Sequence, residues 1–431
     1  MTPHCFGPAR ILLPAEEIPM KQWACVACDQ YTSQKEYWDK VCEEVKDVPS
    51  TLHMILPEAY LNRPDEAQQI QGMQDTMKEY LRTVLTREVN GFIYLERTTE
   101  TGVRQGIVGM VDLESYSFDP FKKLPVRPTE HTVLERIPPR LNIRRGAEVE
   151  TPHIMMLADD PACTVVEPIG AVKEQLPRVY SGELMEGGGS IQGWAVEDPA
   201  MIEQIVQAVD ALGDQARFDA RYPEVAGQTP ITLAVGDGNH SLATAKSWWE
   251  EVKKTLTPEQ QEHHPARYCL AEVCNLFCPA IQVEPIHRVL FGGNGPSVLL
   301  CLTEFIDYHG GHIKAGAPAE NCAQKITFVA PCRDVTIGFD NTWLPLTVDT
   351  VEAFLSEYLS DHPGVQVDYI HGRDVAMSMG RKSSVSLLLP PLDKEDLFRG
   401  VIYGGVLPRK TFSMGHAWEK RYYLECRKIT E

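Results

Sequence analysis

The sequence predicts a mixed α/β protein. Three observations carry that reading: apolar residues at helical spacing over 64–85, an apolar strand at 229–235 that runs straight into a glycine turn and a helix, and alternating strand and helix patterns beyond residue 267.

The elements follow in order. Arg10-Ile11-Leu12-Leu13-Pro14 and Trp23-Ala24-Cys25-Val26-Ala27-Cys28 read as short extended pieces, followed by a helix over 33–44. Pro64 suits the first turn of a longer helix in which Met73, Met77, Tyr80, Leu81 and Leu85 share a face. Segments 91–95 and 106–111 read as neighbouring strands, and 199–212 as a helix. After the strand at 229–235 and the turn at 236–238, a helix is expected over 242–256. Further segments at 267–274, 297–308, 325–330, 334–339, 349–360, 366–370, 384–389 and 393–403 continue the alternation. A chain of 431 residues favours more than one domain. The expected division is an N-terminal α/β region 1–125, a central region 126–290 with the turn, and a C-terminal α/β region 291–431.

Composition narrows the function. The chain has 41 basic and 60 acidic residues, a formal charge of −19. That balance repels a polyphosphate backbone and excludes general nucleic-acid binding, while leaving room for a local basic pocket around one small phosphate ligand. No basic segment leads into a long apolar stretch, and no apolar run reaches the ~20 residues of a membrane span. The expectation is a cytoplasmic enzyme without nucleic-acid or membrane partners, with self-association left open. Its 12 cysteines are then reduced thiols. Cys25/Cys28 and Cys274/Cys278 have apolar neighbours, which favours buried thiols over a zinc site.

Asp237-Gly238-Asn239-His240-Ser241 has the clearest mechanical logic. Glycines 236 and 238 permit a tight bend, and the N–H groups of a helix start, with the helix dipole, attract a phosphate. Asp237 can hold a metal or accept a proton, Asn239 can donate, His240 can donate, accept or ligate, and Ser241 can cap the helix or touch phosphate. An ordinary Asx turn accounts for the same residues equally well. A second cluster holds Arg127, Thr129, Glu130, His131, Thr132, Glu135, Arg136, Arg140, Arg144 and Arg145. Its arginines can fork onto phosphate and Glu130 can act as base, or the stretch is a solvated helix whose charges pair with the acidic surplus. Gly187-Gly188-Gly189 can close over phosphates or form a hairpin. Lys410, Lys420 and Arg421 near the end, and His287-Arg288, are further candidates for an anion pocket or for ordinary strand ends.

Taken together, these segments resemble a conserved uncharacterised family, domain of unknown function 1015. The resemblance runs from Trp23 and Ala27-Cys28-Asp29-Gln30-Tyr31-Thr32-Ser33 through Arg127, Thr129-Glu130, Glu135-Arg136, Pro138-Pro139-Arg140 and Pro152-His153-Ile154. It continues through Gly187-Gly188-Gly189, Asp237-Gly238-Asn239-His240, Ile286-His287-Arg288 and Pro408-Arg409-Lys410-Thr411-Phe412-Ser413-Met414-Gly415. The family's central element usually reads Asp-Gly-His-His-Arg; Asn239 and Ser241 depart from it, and the lost guanidinium calls for another cation, with Lys246 a candidate. The Asp-Gly-x-His element is similar to the phosphate turn of the partition-protein-B/sulfiredoxin-like superfamily, which includes kinases of free serine. This resemblance implies a nucleotide-binding core of that kind within additional α/β elaborations.

The expected activity is a Mg-dependent phosphotransferase acting on a small hydroxylated metabolite, free L-serine first, with a nucleotide or pyrophosphate as donor. Asp237 is the metal-linked residue, Glu130 the base ahead of Asp29, and His240 a further catalytic candidate. Phosphate contacts are expected from Arg127, Arg136, Gly187, Gly188, Gly189, Gly238, Asn239, Ser241, His287, Arg288, Lys410, Lys420 and Arg421. A nucleotide-binding regulatory protein and a metal-dependent phosphohydrolase are the alternatives.

Overall fold

In the computed structural model the described residues are 4–32, 34–61, 63–331, 333–340, 343–408 and 410–431. Ser33, Cys332 and Arg409 lie outside them. The chain folds as two compact units. The first joins Met1–Gln282 to Gly415–Glu431, and the second is Val283–Met414. This corrects the expected three consecutive regions: strands on either side of residue 125 share one sheet, and the last residues return to the first unit.

In the first unit, helix α1 (Glu66–Thr83) buries Met73, Met77 and Tyr80, the stripe its spacing predicts. Strands β1 (Arg87–Thr99) and β2 (Gly102–Asp112) form an antiparallel hairpin. In β1, Phe92, Ile93, Tyr94 and Leu95 are all buried, as in a strand covered on both faces. The remaining strands are β3 (Val126–Pro128), β4 (Met155–Ala158), β5 (Arg178–Glu183), β6 (Ser190–Val196), β7 (Leu233–Asp237) and β8 (Tyr268–Asn275). They complete a mixed sheet in the order β3-β7-β4-β8-β2-β1-β6-β5, with Phe6–Gly7 and Ala9–Leu13 pairing on β2 and β1.

Three helices accompany this sheet in the first unit. Helix α2 (Ile137–Arg145) packs on α4 (Asn239–Val252). Helix α3 (Pro199–Leu212) begins where Asp198 accepts from the Ala200 and Met201 N–H groups and Pro199 needs no amide partner. Its apolar residues Ile205, Val206, Val209 and Leu212 enter the core. Strand β7 starts later than the apolar run suggests, at Leu233, because Pro230 has no N–H to pair and the Thr229 and Pro230 carbonyls are taken by Arg127.

The second unit is also α/β. Strands β9 (Val283–Phe291), β10 (Gln324–Ala330), β11 (Arg333–Asp340), β12 (Gln366–His371) and β13 (Val385–Leu388) form an antiparallel sheet in the order β11-β10-β13-β9-β12. Segment His312–Ala315 extends it on β11, and Phe412–Met414 pairs with the start of β9. Helices α5 (Gly295–Tyr308) and α6 (Thr347–Asp361) bury Leu302, Phe305, Phe354 and Leu355 with Phe328 and Leu387 of the sheet. Helix α7 (Arg373–Lys382), the segments His312–Ala315 and Phe412–Met414, and the full length of β9 lie outside the alternating pattern read from the sequence. No helix among the described residues is long and apolar enough to cross a membrane.

Candidate functional site

The bend after β7 is built by three local choices. Gly238 takes φ +80°, a left-handed conformation, and a Cβ there would sit 3.0 Å from the Ile154 Cα. The bend lets α4 start at Asn239, with Gly238 as its N-cap and no side-chain capping bond. This corrects the expected start at 242 and removes Ser241 from the capping position. The first N–H groups of α4 therefore face forward without a side-chain cap, the arrangement that favours an anion.

The sheet brings the second predicted segment alongside. Strand β3 runs parallel to β7, with Pro128 opposite Val235, so the loops after both strands leave the sheet side by side. The Thr129 hydroxyl donates to the Val235 carbonyl (2.7 Å), and the Val133 N–H donates to His240 Nε2 (3.2 Å). Glu130 lies between these two anchors, half-buried. His240 thus holds the Glu130 loop against the turn, with Nε2 as an acceptor. The second cluster is not one solvated helix: a 3-10 turn covers Leu134–Arg136, α2 begins at Ile137, and Arg136, its N-cap, is exposed.

The C-terminal segment supplies the cation. Lys420 Nζ stands 3.3 Å from Asp237 Oδ2, an ion pair in which that oxygen makes no hydrogen bond. The other Asp237 oxygen accepts from the Gly238 N–H (2.9 Å). Tyr422–Tyr423 pairs with Cys25–Val26, and the Tyr423 hydroxyl accepts from the Cys28 N–H (3.3 Å), which brings Asp29 to the same place. Burial alone would raise the Asp29 carboxyl; His153, the Gln30 amide, Lys420 and Arg140 together carry it below its ordinary value. His153 is buried, with Nδ1 lacking a hydrogen-bond partner and its ring edge-on to Tyr423. Asn239 Oδ1 is likewise buried without a partner. Unsatisfied polar atoms in one small region are what a ligand or water would satisfy. His153 was visible only as part of a longer matching segment.

Several predicted phosphate ligands have structural employment instead. Arg127 is buried and donates to the carbonyls of Leu124 (3.0 Å), Thr229 (2.6 Å) and Pro230 (3.3 Å). Burial pushes its guanidinium down to about 10. Arg421 is enclosed by Glu272 (2.8 Å), Glu425 (2.6 Å) and the Pro152 carbonyl (2.6 Å). It fixes the backbone on both sides of the site, next to Lys420 and next to His153. Lys246 is held by Glu250 at 2.7 Å and does not replace the missing guanidinium.

The glycine run is a hairpin turn between β5 and β6. Leu184 N–H donates to the Gly189 carbonyl (2.8 Å), and Arg97 donates to the Gly188 carbonyl (2.7 Å) and to those of Trp418 (3.0 Å) and Lys420 (3.4 Å). Burial and neighbouring Arg104 push Arg97 down to about 9. Gly187 is the exposed member of the run. At Gly189, φ is +75° and a Cβ would lie 2.0 Å from the Thr98 carbonyl oxygen. Gly189→Ala is expected to destabilise the first unit by at least about 2 kcal/mol, measured as a lowered urea midpoint, with no direct loss of a ligand contact.

His287, Arg288 and Lys410 belong to the second unit. Arg288 is fully buried, pairs with Glu352 (2.7 Å), donates to the Ile286 carbonyl and lies over the Tyr369 ring. Lys410 is exposed, at φ +58°. His287 Nδ1 accepts from the Leu389 N–H (3.2 Å). Burial, then Arg373, Arg288 and His371, push its imidazole down to about 4. The unfolded chain takes up that proton near the ordinary value of 6.5, whereas the folded unit does not until about 4. Stability is therefore expected to fall between those pH values, by up to about 3 kcal/mol, and His287→Leu should flatten that slope in denaturant titrations at pH 7 and pH 4.5.

No three His, Cys, Asp or Glu side chains gather as a metal cage among the described residues. A Mg ion needs no such cage: it is commonly held by one or two carboxylates with water and phosphate oxygens. Asp237 Oδ2 fits that role once Lys420 turns away from it.

The chain matches the family model described as "Protein of unknown function (DUF1015)" over residues 8–334. No curated protein matches it. Among solved structures, it resembles a free serine kinase in complex with AMP at 11% identity, over 74% of this chain and 90% of that one, with a TM-score of 0.37. A conserved hypothetical protein from Pyrococcus furiosus matches at 11% identity, over 74% and 94%, with a TM-score of 0.33. SbnI from Staphylococcus aureus, with a C-terminal truncation, matches at 9% identity, over 72% and 82%, with a TM-score of 0.34. Likenesses this distant carry no argument about the chemistry of this chain.

Proposed function

We propose, for a chain that belongs to the DUF1015 family, that it is a Mg-dependent phosphotransferase acting on a small hydroxylated metabolite, with free L-serine the leading acceptor. The observation that supports this most directly is the Asp237–Lys420 pair, 3.3 Å apart, at the uncapped start of α4. A carboxylate and an ammonium at a helix N-terminus are the charges that a transferring phosphoryl group needs around it. Mg, when bound, would neutralise phosphate charge beside Asp237.

The N–H groups of Asn239, His240 and Ser241 would hold donor phosphate oxygens, and Lys420 would turn from Asp237 onto them. Glu130, fixed by the anchors at Thr129 and Val133, would accept the proton of the acceptor hydroxyl. The acceptor oxygen bonds to the donor's terminal phosphorus as the bond from that phosphorus to its bridging oxygen breaks, and the remaining phosphate leaves as the anion. Asp29, kept ionised by His153, Lys420 and Arg140, suits the ammonium of an amino-acid acceptor. The test is phosphoserine formation from L-serine with ATP, ADP or pyrophosphate. Phosphoserine from at least one donor is expected, and its absence with all three would remove the serine assignment.

A further inference from the structure

A cavity of about 150 Å³ lies within the first unit against the side of α4. Ser241 and Thr244 form one wall, and Pro152 and Ile154, the neighbours of His153, form part of another. Much of the remaining lining is apolar, including Met54, Met77, Ala147 and Val149. Two ion pairs are set into the wall, Glu58 with Arg140 and Glu150 with Arg144 at 2.6 Å. These charges are already engaged, Glu150 with Arg427 (2.9 Å) as well as with Arg144, so a charged ligand placed here would lose its hydration while competing with partners already in place. Two donors in the wall are unmatched: the buried Nε–H of Arg144 and the buried Thr151 hydroxyl have no hydrogen-bond partner. Burial, then the charge of Asp29, pushes the lining Cys28 thiol up to about 12, so it too is uncharged.

Such a space suits a flat, uncharged ring with an acceptor atom; an engineered apolar cavity of ~150 Å³ takes up benzene. Its position narrows the choice. Ser241 and Thr244 lie two and five residues along α4 from Asn239, hence about 3–8 Å from the helix start at 1.5 Å per residue. One ribose spans that gap between a phosphate and a base. Resting on the phosphotransferase reading, we infer that the cavity holds the base of the donor, which makes the donor a nucleoside polyphosphate and not inorganic pyrophosphate.

Titration calorimetry on the full chain with adenosine, ADP and pyrophosphate tests this. Wild type is expected to bind adenosine, and to bind ADP at least tenfold more tightly than pyrophosphate. Ala147→Phe, which fills the cavity, should weaken adenosine and ADP at least tenfold and change pyrophosphate by less than twofold. If circular dichroism shows that variant to be misfolded, Ala147→Leu serves in its place. Unchanged adenosine and ADP affinity in a folded filling variant would overturn the assignment. So would pyrophosphate bound as tightly as ADP, or phosphoserine made from pyrophosphate by a protein that does not bind adenosine; that last result would leave the phosphotransferase reading intact. Adenosine and ADP bound in the cavity without phosphoserine from any donor would support the base site and refute the proposed reaction.

Discussion

Replacing Asp237 by asparagine is expected to lower phosphoserine formation by about 10²–10³-fold, the usual scale for removing one preorganised charge from a reacting centre. The fold should survive, because Gly238 N–H can still donate to the remaining side-chain carbonyl, and the ion pair with Lys420 is partly buried but lacks hydrogen-bond geometry. The substitution also releases Lys420, so KM for the donor should not rise while kcat falls. That split separates a role in the reaction from a role in binding. Glu130→Gln should give a comparable loss in kcat without disturbing the Thr129 and Val133 anchors. Ordinary turnover in both variants would defeat the site as described.

Arg421→Leu carries the largest expected cost in stability. Glu272 and Glu425 are each 1% exposed and both lean on this guanidinium, as does the Pro152 carbonyl. Glu272 keeps Arg104 as a second partner (3.3 Å). Burial would raise the Glu272 carboxyl, but Arg104 and Arg421 together hold it below its ordinary value. Removing one member of such a network strands a charge in the interior, at about 3–5 kcal/mol. The measurement is the urea midpoint of the variant against wild type at neutral pH. A shift below about 1 kcal/mol would mean that the charges are relieved by solvent or by proton uptake. Because carboxylates with depressed pKa values contribute stability above their unfolded values and lose it as pH falls through the folded ones, the deficit should shrink in acid.

Local chemistry was readable where neighbours in sequence are neighbours in space. The bend at 236–238, the helix after it, and the helices at 66–83 and 199–212 follow from glycine, capping residues and apolar spacing. Charge was not readable in that way. Arg127 and Arg421 look alike in sequence to Lys420, yet the first two are claimed in part by a carbonyl and a carboxylate, those of Thr229 and Glu272, some 100 residues or more away. Lys420 instead pairs with Asp237 beside the start of α4. Of the two readings of Gly187-Gly188-Gly189 the hairpin is the one found, and the side chain and backbone that crowd Gly188 and Gly189, Tyr422 and Thr98, come from distant strands. Strand β9 was legible only as a strand end at His287-Arg288 because Pro285, His287 and Arg288 interrupt its apolar pattern, although His287 and Arg288 are buried. The domain division failed for the same reason, since nothing local marks residues 415–431 as part of the first unit.

That return of residues 415–431 has a temporal consequence. During synthesis the ribosome must release all of Val283–Met414 before Lys420 and Arg421 can reach Asp237, Glu272 and Glu425. A nascent chain therefore carries the glycine bend long before it carries Lys420, and the Asp237–Lys420 pair should form only after that lysine has left the ribosome.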